Sequence, residues 1–411
     1  EGEWAIGSQW TGFGHLLGTH ETPPNITTDG TQAWLADASI ARTPVLLAQT
    51  DPQSMQQWRV GLKGPWQQWD VLASASSGQA RQQHTLVTLP ERWDPLAALP
   101  ILAEQRHQTR LQTLNVQAQR ELDSPPQGPR TLSLGWQWLQ ESLATHTSTS
   151  GAGDWQGQRQ QWAVHAEFKT PLAERHEWTA SLRHDHLSDL GGTPTAQMGW
   201  KWRPATDFLM RASLGTGLRA PGLDQLSPQI THNWLMWDPI RQTTLRIQRR
   251  GQANLKAEQS THTSWGFRLE PHPRWTLGAD LWHLDVRQTI GYPDPAIQQA
   301  AGLMRSDAQG PYLDAVATNL GRSRKQGIDY DTEWRVPGDA GLIRLSVKGV
   351  LYLKSMLKEA ASGQTVSDLA YFSGITQTVT PRHEVTLGAS LERANWIVMS
   401  HLRYRSAYRE A

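Results

Sequence analysis

The sequence predicts an all-β chain folded as an antiparallel transmembrane β-barrel, and three observations carry that expectation. Apolar and polar residues alternate with a period of two along segment after segment. Short turns alternate with long connections. Trp recurs on the apolar parity close to the short turns. Successive side chains of a strand point to opposite faces, so a two-residue period gives each strand one apolar and one polar side. Membrane barrels show this pattern, with short turns at one rim and long loops at the other. Their aromatic rings gather where hydrocarbon meets water.

Taken in order, residues 4–10 read as one strand with Trp4, Ile6, Ser8 and Trp10 on one parity, and a loop then runs to about residue 56. Trp58, Val60 and Leu62 alternate with Arg59, Gly61 and Lys63, and Gly64-Pro65-Trp66 reads as a tight turn into Trp69, Val71, Ala73 and Ala75. A polar loop precedes a weaker strand over residues 109–121, which ends at Pro125, Pro126, Gly128 and Pro129. Leu132, Leu134, Trp136 and Trp138 share the next apolar face. Trp162, Val164, Ala166 and Phe168 share the one after it, opposite His165, Glu167 and Lys169. Trp178, Ala180 and Leu182 follow, then Met198, Trp200 and Trp202, then Phe208, Met210, Ala212 and Leu214.

Residues 215–262 show no sustained alternation and read as one very long loop. Trp265, Phe267 and Leu269 lead through Pro271-His272-Pro273 to Trp275, Leu277, Ala279 and Leu281. After another long loop, to about residue 324, come Ile328, Tyr330, Thr332, Trp334 and Val336, then Ile343, Leu345 and Val347. Val385, Leu387, Ala389 and Leu391, then Trp396, Val398, Ser400, Leu402 and Tyr404, bring the count by alternation to roughly fifteen strands. The apolar parity is expected to face lipid. Arg211, Ser213, Arg344, Ser346 and Lys348, with His165, Glu167 and Lys169, are expected to face the lumen. The turns near Pro171, Pro204, Pro271, Pro337 and Ala394 should lie at one rim. Segments 185–196, 215–262, 286–325 and 352–384 should lie at the other.

Composition narrows the classes. A net charge of +1 over 411 residues, with no dominant basic face, argues against a nucleic-acid partner. The absence of Cys excludes a disulfide framework and a Cys zinc site. Mean hydropathy is −0.56, a value that fits a membrane barrel as well as a water-soluble chain, because a barrel needs only alternate residues to be apolar. No nucleophile elbow or other catalytic spacing occurs, so the chain reads as a non-enzyme with neither cofactor nor metal site. His184 and His186 share a strand face and read as interfacial residues rather than metal ligands.

Several motifs resemble those of one family. Gly215-Thr216-Gly217-Leu218-Arg219-Ala220-Pro221 resembles the signature of TonB-dependent outer-membrane receptors, with Leu218 where the family usually has Phe. Glu167-Phe168-Lys169-Thr170-Pro171-Leu172, Leu182-Arg183-His184-Asp185-His186-Leu187-Ser188-Asp189 (His at both family Tyr positions), Asn254-Leu255-Lys256-Ala257-Glu258-Gln259-Ser260 (Ala257 for Pro), Asn319-Leu320-Gly321 and Gly327-Ile328-Asp329 are similar to further family segments in the same order. The resemblance implies uptake, across the cell outer membrane, of a scarce solute such as a ferric siderophore, with haem, cobalamin or a glycan as other cargoes. It implies a TonB complex acting through a plug as partner, and outer-membrane lipid around the wall. The family barrel has 22 strands, so residues 1–411 read as an internal barrel portion without the plug or the last strands.

The candidate ligand-binding stretch is residues 229–250, which hold His232, Trp234, Trp237 and Arg241. Aromatics can cover the body of a ligand, and Arg can pair with its anionic groups. Arg211 and Arg344, on the lumen parity, are candidate lining residues for the path of an anionic solute. Arg219-Ala220-Pro221 reads as structural, ending a strand and aiming a loop. The competing class is a soluble, secreted, Trp-rich β protein that binds carbohydrate. It requires a second protein layer over Trp162, Val164, Ala166 and Phe168.

Overall fold

The computed structural model of the chain describes residues 2–6, 9–21, 45–46, 53–88, 101–147, 154–238, 243–293, 298–299, 302–307, 310–339, 341–360, 363–370, 379–393 and 395–409. The strands in chain order begin with β1 (Gly2–Ile6), β2 (Trp10–Glu21), β3 (Val45–Leu46), β4 (Gln53–Trp66), β5 (Trp69–Thr88) and β6 (Ile101–Asp123). Next come β7 (Arg130–Thr147), β8 (Trp155–Ala173), β9 (His176–Leu187), β10 (Gly191–Ala205) and β11 (Phe208–Arg219). One short helix, α1 (Leu223–Leu226), precedes β12 (Ile230–Asp238), β13 (Thr243–Arg250), β14 (Glu258–His272) and β15 (Trp275–Gly291). The last are β16 (Arg305–Asp307), β17 (Gly310–Val316), β18 (Thr318–Gly338), β19 (Gly341–Glu359), β20 (Thr365–Ser367), β21 (His383–Arg393) and β22 (Trp396–Arg405).

One 18-stranded sheet forms the wall. Its long strands pair antiparallel, each with the next along the chain, from β1–β2 and β2–β4 through β9–β10 and β11–β14 to β19–β21 and β21–β22. The short strands β3 and β20 flank β5 and β19. This up-and-down order puts the turns at residues 67–68, 174–175, 206–207 and 273–274 on one rim, as the sequence leads one to expect, and Ala394 lies outside the described residues. The long connections lie on the other rim, where residues 185–196 are not a loop but the ends of β9 and β10 joined by a turn at residues 188–190. No helix among the described residues is long and apolar enough to cross a membrane, so any crossing is made by strands.

The sequence reading is corrected at several points. Residues 4–10 are not one strand: Ile6 pairs with Trp10 across a turn, and β2 then runs to Glu21, where a loop was expected. Splitting that segment adds one long strand to the count by alternation. The turn placed at Gly64-Pro65-Trp66 lies at Gln67 and Gln68. Pro65 pairs with Asp70 within the hairpin, and Gln67 takes the left-handed φ of 56°. Strands β5, β6, β11, β18 and β19 extend well past their alternating parts on the long-connection side. Beyond the hydrocarbon the outer face meets water, so the apolar half of the pattern is no longer required and the sequence signal fades. Residues 215–262 are not one loop. They hold the end of β11, α1, β12, β13 and the start of β14.

Parity follows the expected assignment. Leu132, Phe168, Ala180, Met198 and Leu214 are successive partners across β7 to β11, so one row of the sheet is apolar through five strands. Trp265, Leu281, Ile328 and Leu351 form a matching row from β14 to β19. Trp162, Val164 and Phe168 are 40%, 44% and 37% exposed, and Met198 and Leu214 are half exposed. A soluble sandwich would bury this face under a second layer, and the exposed rows run on continuously instead. Trp275 and Trp334 pair beside the short-turn rim, and Trp178 and Trp200 do the same two hairpins away.

The opposite face is charged and internally paired. Lys169 and Lys201 both reach Glu177, each at 2.9 Å. Arg211 donates through Nε to Asp280 Oδ1 at 2.7 Å. Several of these side chains lie flat because a glycine sits beside them. A Cβ on Gly135 would come 2.0 Å from the His165 ring, and one on Gly266 would come 2.1 Å from the Asp280 carboxylate.

A cation placed on the outer rows costs about 2–4 kcal/mol at the bilayer midplane. Phe168→Arg and Val347→Arg are therefore expected to lower the yield of folded barrel sharply, while Lys348→Gln, one residue away on the inner face, leaves it near the parent level. Heat-modifiable mobility on gels reads the folded fraction. Equal yields for all three variants would reverse the facing assigned here, because a one-residue slip exchanges every side chain between faces.

Candidate functional site

The long-connection rim is built around buried polar groups. Arg159, in β8, is 3% exposed, so its guanidinium must be paired in full. It donates through Nε to Asp189 Oδ1 at 2.9 Å and through a terminal nitrogen to Asp189 Oδ2 at 2.6 Å. The other terminal nitrogen donates to Glu141 Oε1 at 3.0 Å and to the carbonyl oxygen of Pro221 at 2.8 Å. One side chain thus ties β7, β8, the β9–β10 turn and the chain leaving β11. Pro221, the end of the Arg-Ala-Pro motif, is itself fully buried.

Arg219 of the same motif donates through Nε and a terminal nitrogen to the two oxygens of Glu258, at 2.6 and 2.7 Å. Glu258 also accepts the backbone N–H of Ile290 at 2.6 Å, which joins β11, β14 and β15. Asn319 accepts the Lys256 N–H at 2.9 Å and donates to the carbonyls of Lys256 and Gln288 at 2.9 and 2.8 Å. Leu255, Ile290 and Ala317 pack together beneath it. Gly321 adopts φ +149°, and a Cβ there would sit 2.1 Å from the Lys358 carbonyl oxygen. The sequence segments around Arg219, Asn254 and Asn319 therefore meet in space as a collar that fixes where the long connections start. This supports the structural reading of Arg219-Ala220-Pro221.

A second sheet stands on that collar. β12 and β13 pair antiparallel, β13 pairs parallel with β17, and β17 pairs antiparallel with β16. Leu245, Ile247, Leu313 and Ala315 are fully buried between its strands and its neighbours, with Tyr292 and Met304 packed against them. Two of the long connections, β11 to β14 and β15 to β18, thus close into one platform. The Arg246 guanidinium lies 5.5 Å from the Tyr312 ring centroid, and that of Arg249 lies 4.6 Å from the Tyr292 ring. Burial pulls Arg249 below its ordinary value, and Tyr292 partly offsets this. Arg250 and Arg305 both pair with Asp314. Tyr292, Tyr312 and Asp314 were not candidates from sequence. The signal for Tyr312 and Asp314 was the short alternation of Tyr312, Leu313, Asp314 and Ala315 inside a segment read as loop, and Tyr292 had none.

The candidate residues fall in three places. His232, Trp234 and Trp237 lie in β12, where the register sets Trp234 across from Ile247 and Trp237 across from Thr244. Their side chains, and Arg241 altogether, lie outside the described residues. Arg211 lies in the middle of the inner wall against Asp280. Arg344 lies near the short-turn rim, 3.4 Å from Glu392, so the fold does not bring it to the other candidates. His184 and His186 lie on the outer parity beside Trp162, with His186 stacked on it at 5.3 Å. No cluster of three or more His, Cys, Asp or Glu that could hold a metal occurs among the described residues.

A family model for "TonB dependent receptor-like, beta-barrel" matches residues 3–411. No curated protein matches the chain in sequence. Among solved structures, the siderophore receptor PirA from Acinetobacter baumannii is similar at a TM-score of 0.65 and 13% identity, covering 99% of this chain and 59% of that one. A mutant form of the ferric enterobactin receptor PfeA from Pseudomonas aeruginosa is similar at 0.67 and 16% identity, covering 98% and 55%. The outer membrane transporter YddB from Escherichia coli is similar at 0.67 and 8% identity, covering 99% and 56%. The chain therefore spans a little over half the length of each.

Removing Arg159 leaves two carboxylates facing each other without their cation, a loss of about 3–5 kcal/mol for a buried pair. Arg159→Met is expected to speed amide exchange at residues 188–190 and 220–226. Arg219→Met, at a side chain 54% exposed, should have the smaller effect. Exchange rates for Arg159→Met that match the parent would remove this residue from the collar.

Proposed function

We propose, for a chain that belongs to the TonB-dependent receptor β-barrel family, that residues 1–411 are the wall and mouth of an outer-membrane receptor for a scarce solute. A ferric siderophore or a similar anionic iron complex is the favoured cargo. The solute binds at the long-connection rim and passes inward, driven by a TonB complex acting through a plug.

The observation that carries this reading is the platform of β12, β13, β16 and β17. One connection brings Arg246, Arg249 and Arg250 to it and another brings Tyr292, Arg305 and Tyr312, with Arg246 and Arg249 lying over the tyrosine rings. Such a surface offers ring faces for the body of a ligand and cations for its carboxylate or catecholate oxygens. Binding of this kind needs concavity and a few placed charges, with no bond making or breaking. PirA, a siderophore receptor, and PfeA, a ferric enterobactin receptor, agree in class with this reading.

Within this reading His232, Trp234, Trp237 and Arg241 contact the solute at the mouth. Arg211 and Arg344 line the route, at middle and inner depth. Their partners Asp280 and Glu392 hold them on the wall, where they lower the cost of passage for an anion without forming a tight site.

The whole receptor, purified with Trp234→Ala, Trp237→Ala or Arg241→Ala, is expected to lose affinity for its iron complex by about thirtyfold at one or more positions, the scale of a contact worth about 2 kcal/mol. Arg211→Ala and Arg344→Ala should leave affinity near the parent value and slow uptake into cells supplied with that complex as sole iron source. Parent affinity in all three mouth variants would move the site off β12 and the segment that follows it.

A further inference from the structure

Above the apolar belt, on the long-connection side, the outer face of three adjacent strands becomes cationic. Arg287 of β15, Arg322 of β18 and Lys358 of β19 are direct cross-strand partners in one row. One row nearer the belt, Arg324 lies across from Asp285. A further row down, Lys354 lies across from Gln326, where a bulge in β19 inserts Leu353. Below that come Leu281, Ile328 and Leu351, which share the lipid-facing row. The cations therefore begin where the hydrocarbon-facing side chains end and share their parity.

This row is electrostatically incomplete. Like charges directly opposed across a sheet destabilise it. The acid within the patch is Asp285, already engaged by Arg322 at 2.6 Å and Arg324 at 2.9 Å. Arg287, Lys354 and Lys358 make no ion pair among the described residues, and Arg287 and Lys358 are exposed. Leu353, 45% exposed, stands on the belt side of Lys354. A ligand that completes this surface carries several anionic oxygens at headgroup height and an apolar body below them.

On these grounds we propose that this patch binds a lipid whose headgroup carries phosphate, in the leaflet on the long-connection side. The inference rests on the outer-membrane reading above. Phosphate oxygens satisfy the Arg287–Arg322–Lys358 row, and the acyl chains lie along Leu353 and Leu281 in the same molecule. A free phosphate would meet the first demand and leave the second unmet. Basic patches next to membrane-embedded surfaces recognise anionic headgroups in this way.

The test uses the whole receptor in a neutral detergent, with native mass spectrometry to count bound lipid. The probes are lipid A carrying both phosphates and the same lipid with its phosphates removed. The variants are Arg287→Gln/Lys354→Gln/Lys358→Gln, whose side chains hold no internal partner, and Arg393→Gln, at the opposite rim, as the charge control. Heat-modifiable mobility confirms that each is folded. Each cation at a membrane surface contributes about fivefold, so the triple variant should bind the phosphorylated lipid about a hundredfold more weakly, while the control matches the parent. Parent-level binding by the folded triple variant, or equal binding of both lipids by the parent, would overturn the proposal. A parent that stays soluble without detergent would instead overturn the membrane reading beneath it.

Discussion

In hydrocarbon a backbone N–H or C=O without a partner costs several kcal/mol, and no water is at hand to supply one. A chain that crosses by strands must pair each with its neighbours and show lipid only side chains. The rest of this structure follows from that constraint. The antiparallel order, the two-residue period and the short turns at one rim are the economical way to keep every ladder bond. The outer rows through Phe168 and Leu281 stay apolar across many strands because a single misplaced residue faces lipid directly.

The same constraint explains why charge is sorted by face and by height. Inside, Lys169, Glu177, Lys201, Arg211 and Asp280 pair along the wall, and Gly266 lets Asp280 lie close to the sheet. At the long-connection rim the lipid ends, and buried polar chemistry takes over the task of positioning. Arg159, Glu258 and Asn319 each bind partners from more than one element of the fold. They give long connections fixed starting points, which a platform built from two such connections needs. The platform then adds its own small core of Leu245, Ile247, Leu313 and Ala315.

Much of the wall was legible in the sequence because lipid imposes a rule on every second residue. Where the rule applied, strand, facing and turn rim were all readable, as at Trp162 to Phe168 or Ile343 to Val347. Where it lapsed, the reading failed in a consistent direction: strands were cut short at Ala75, Leu214 and Val347, though they run on into the aqueous region. The hairpin at Ile6 and Trp10 was missed because the end of β1 and the start of β2 share one parity and look like a single strand. The β12–β13–β17–β16 sheet was missed because its register depends on pairing between segments far apart in the chain. The family motifs were visible as residues, and Arg219-Ala220-Pro221 read as structural, but their partners were not visible. That Arg219 meets Glu258, and that Asn319 meets Lys256, is a fact of the fold.

The central claim is that two faces of one sheet meet two solvents. The chain has no Cys, so single cysteines can be introduced and spin-labelled without interference. Labels at Val164→Cys, Phe168→Cys and Val347→Cys are expected to relax with oxygen dissolved in lipid and to be shielded from a water-soluble nickel chelate. Labels at Ser213→Cys, Ser346→Cys and Lys348→Cys in the same reconstituted barrel should show the reverse. Alternation between the two behaviours at neighbouring positions 346, 347 and 348 would sustain the account, and uniform access of the chelate to all six positions would contradict it.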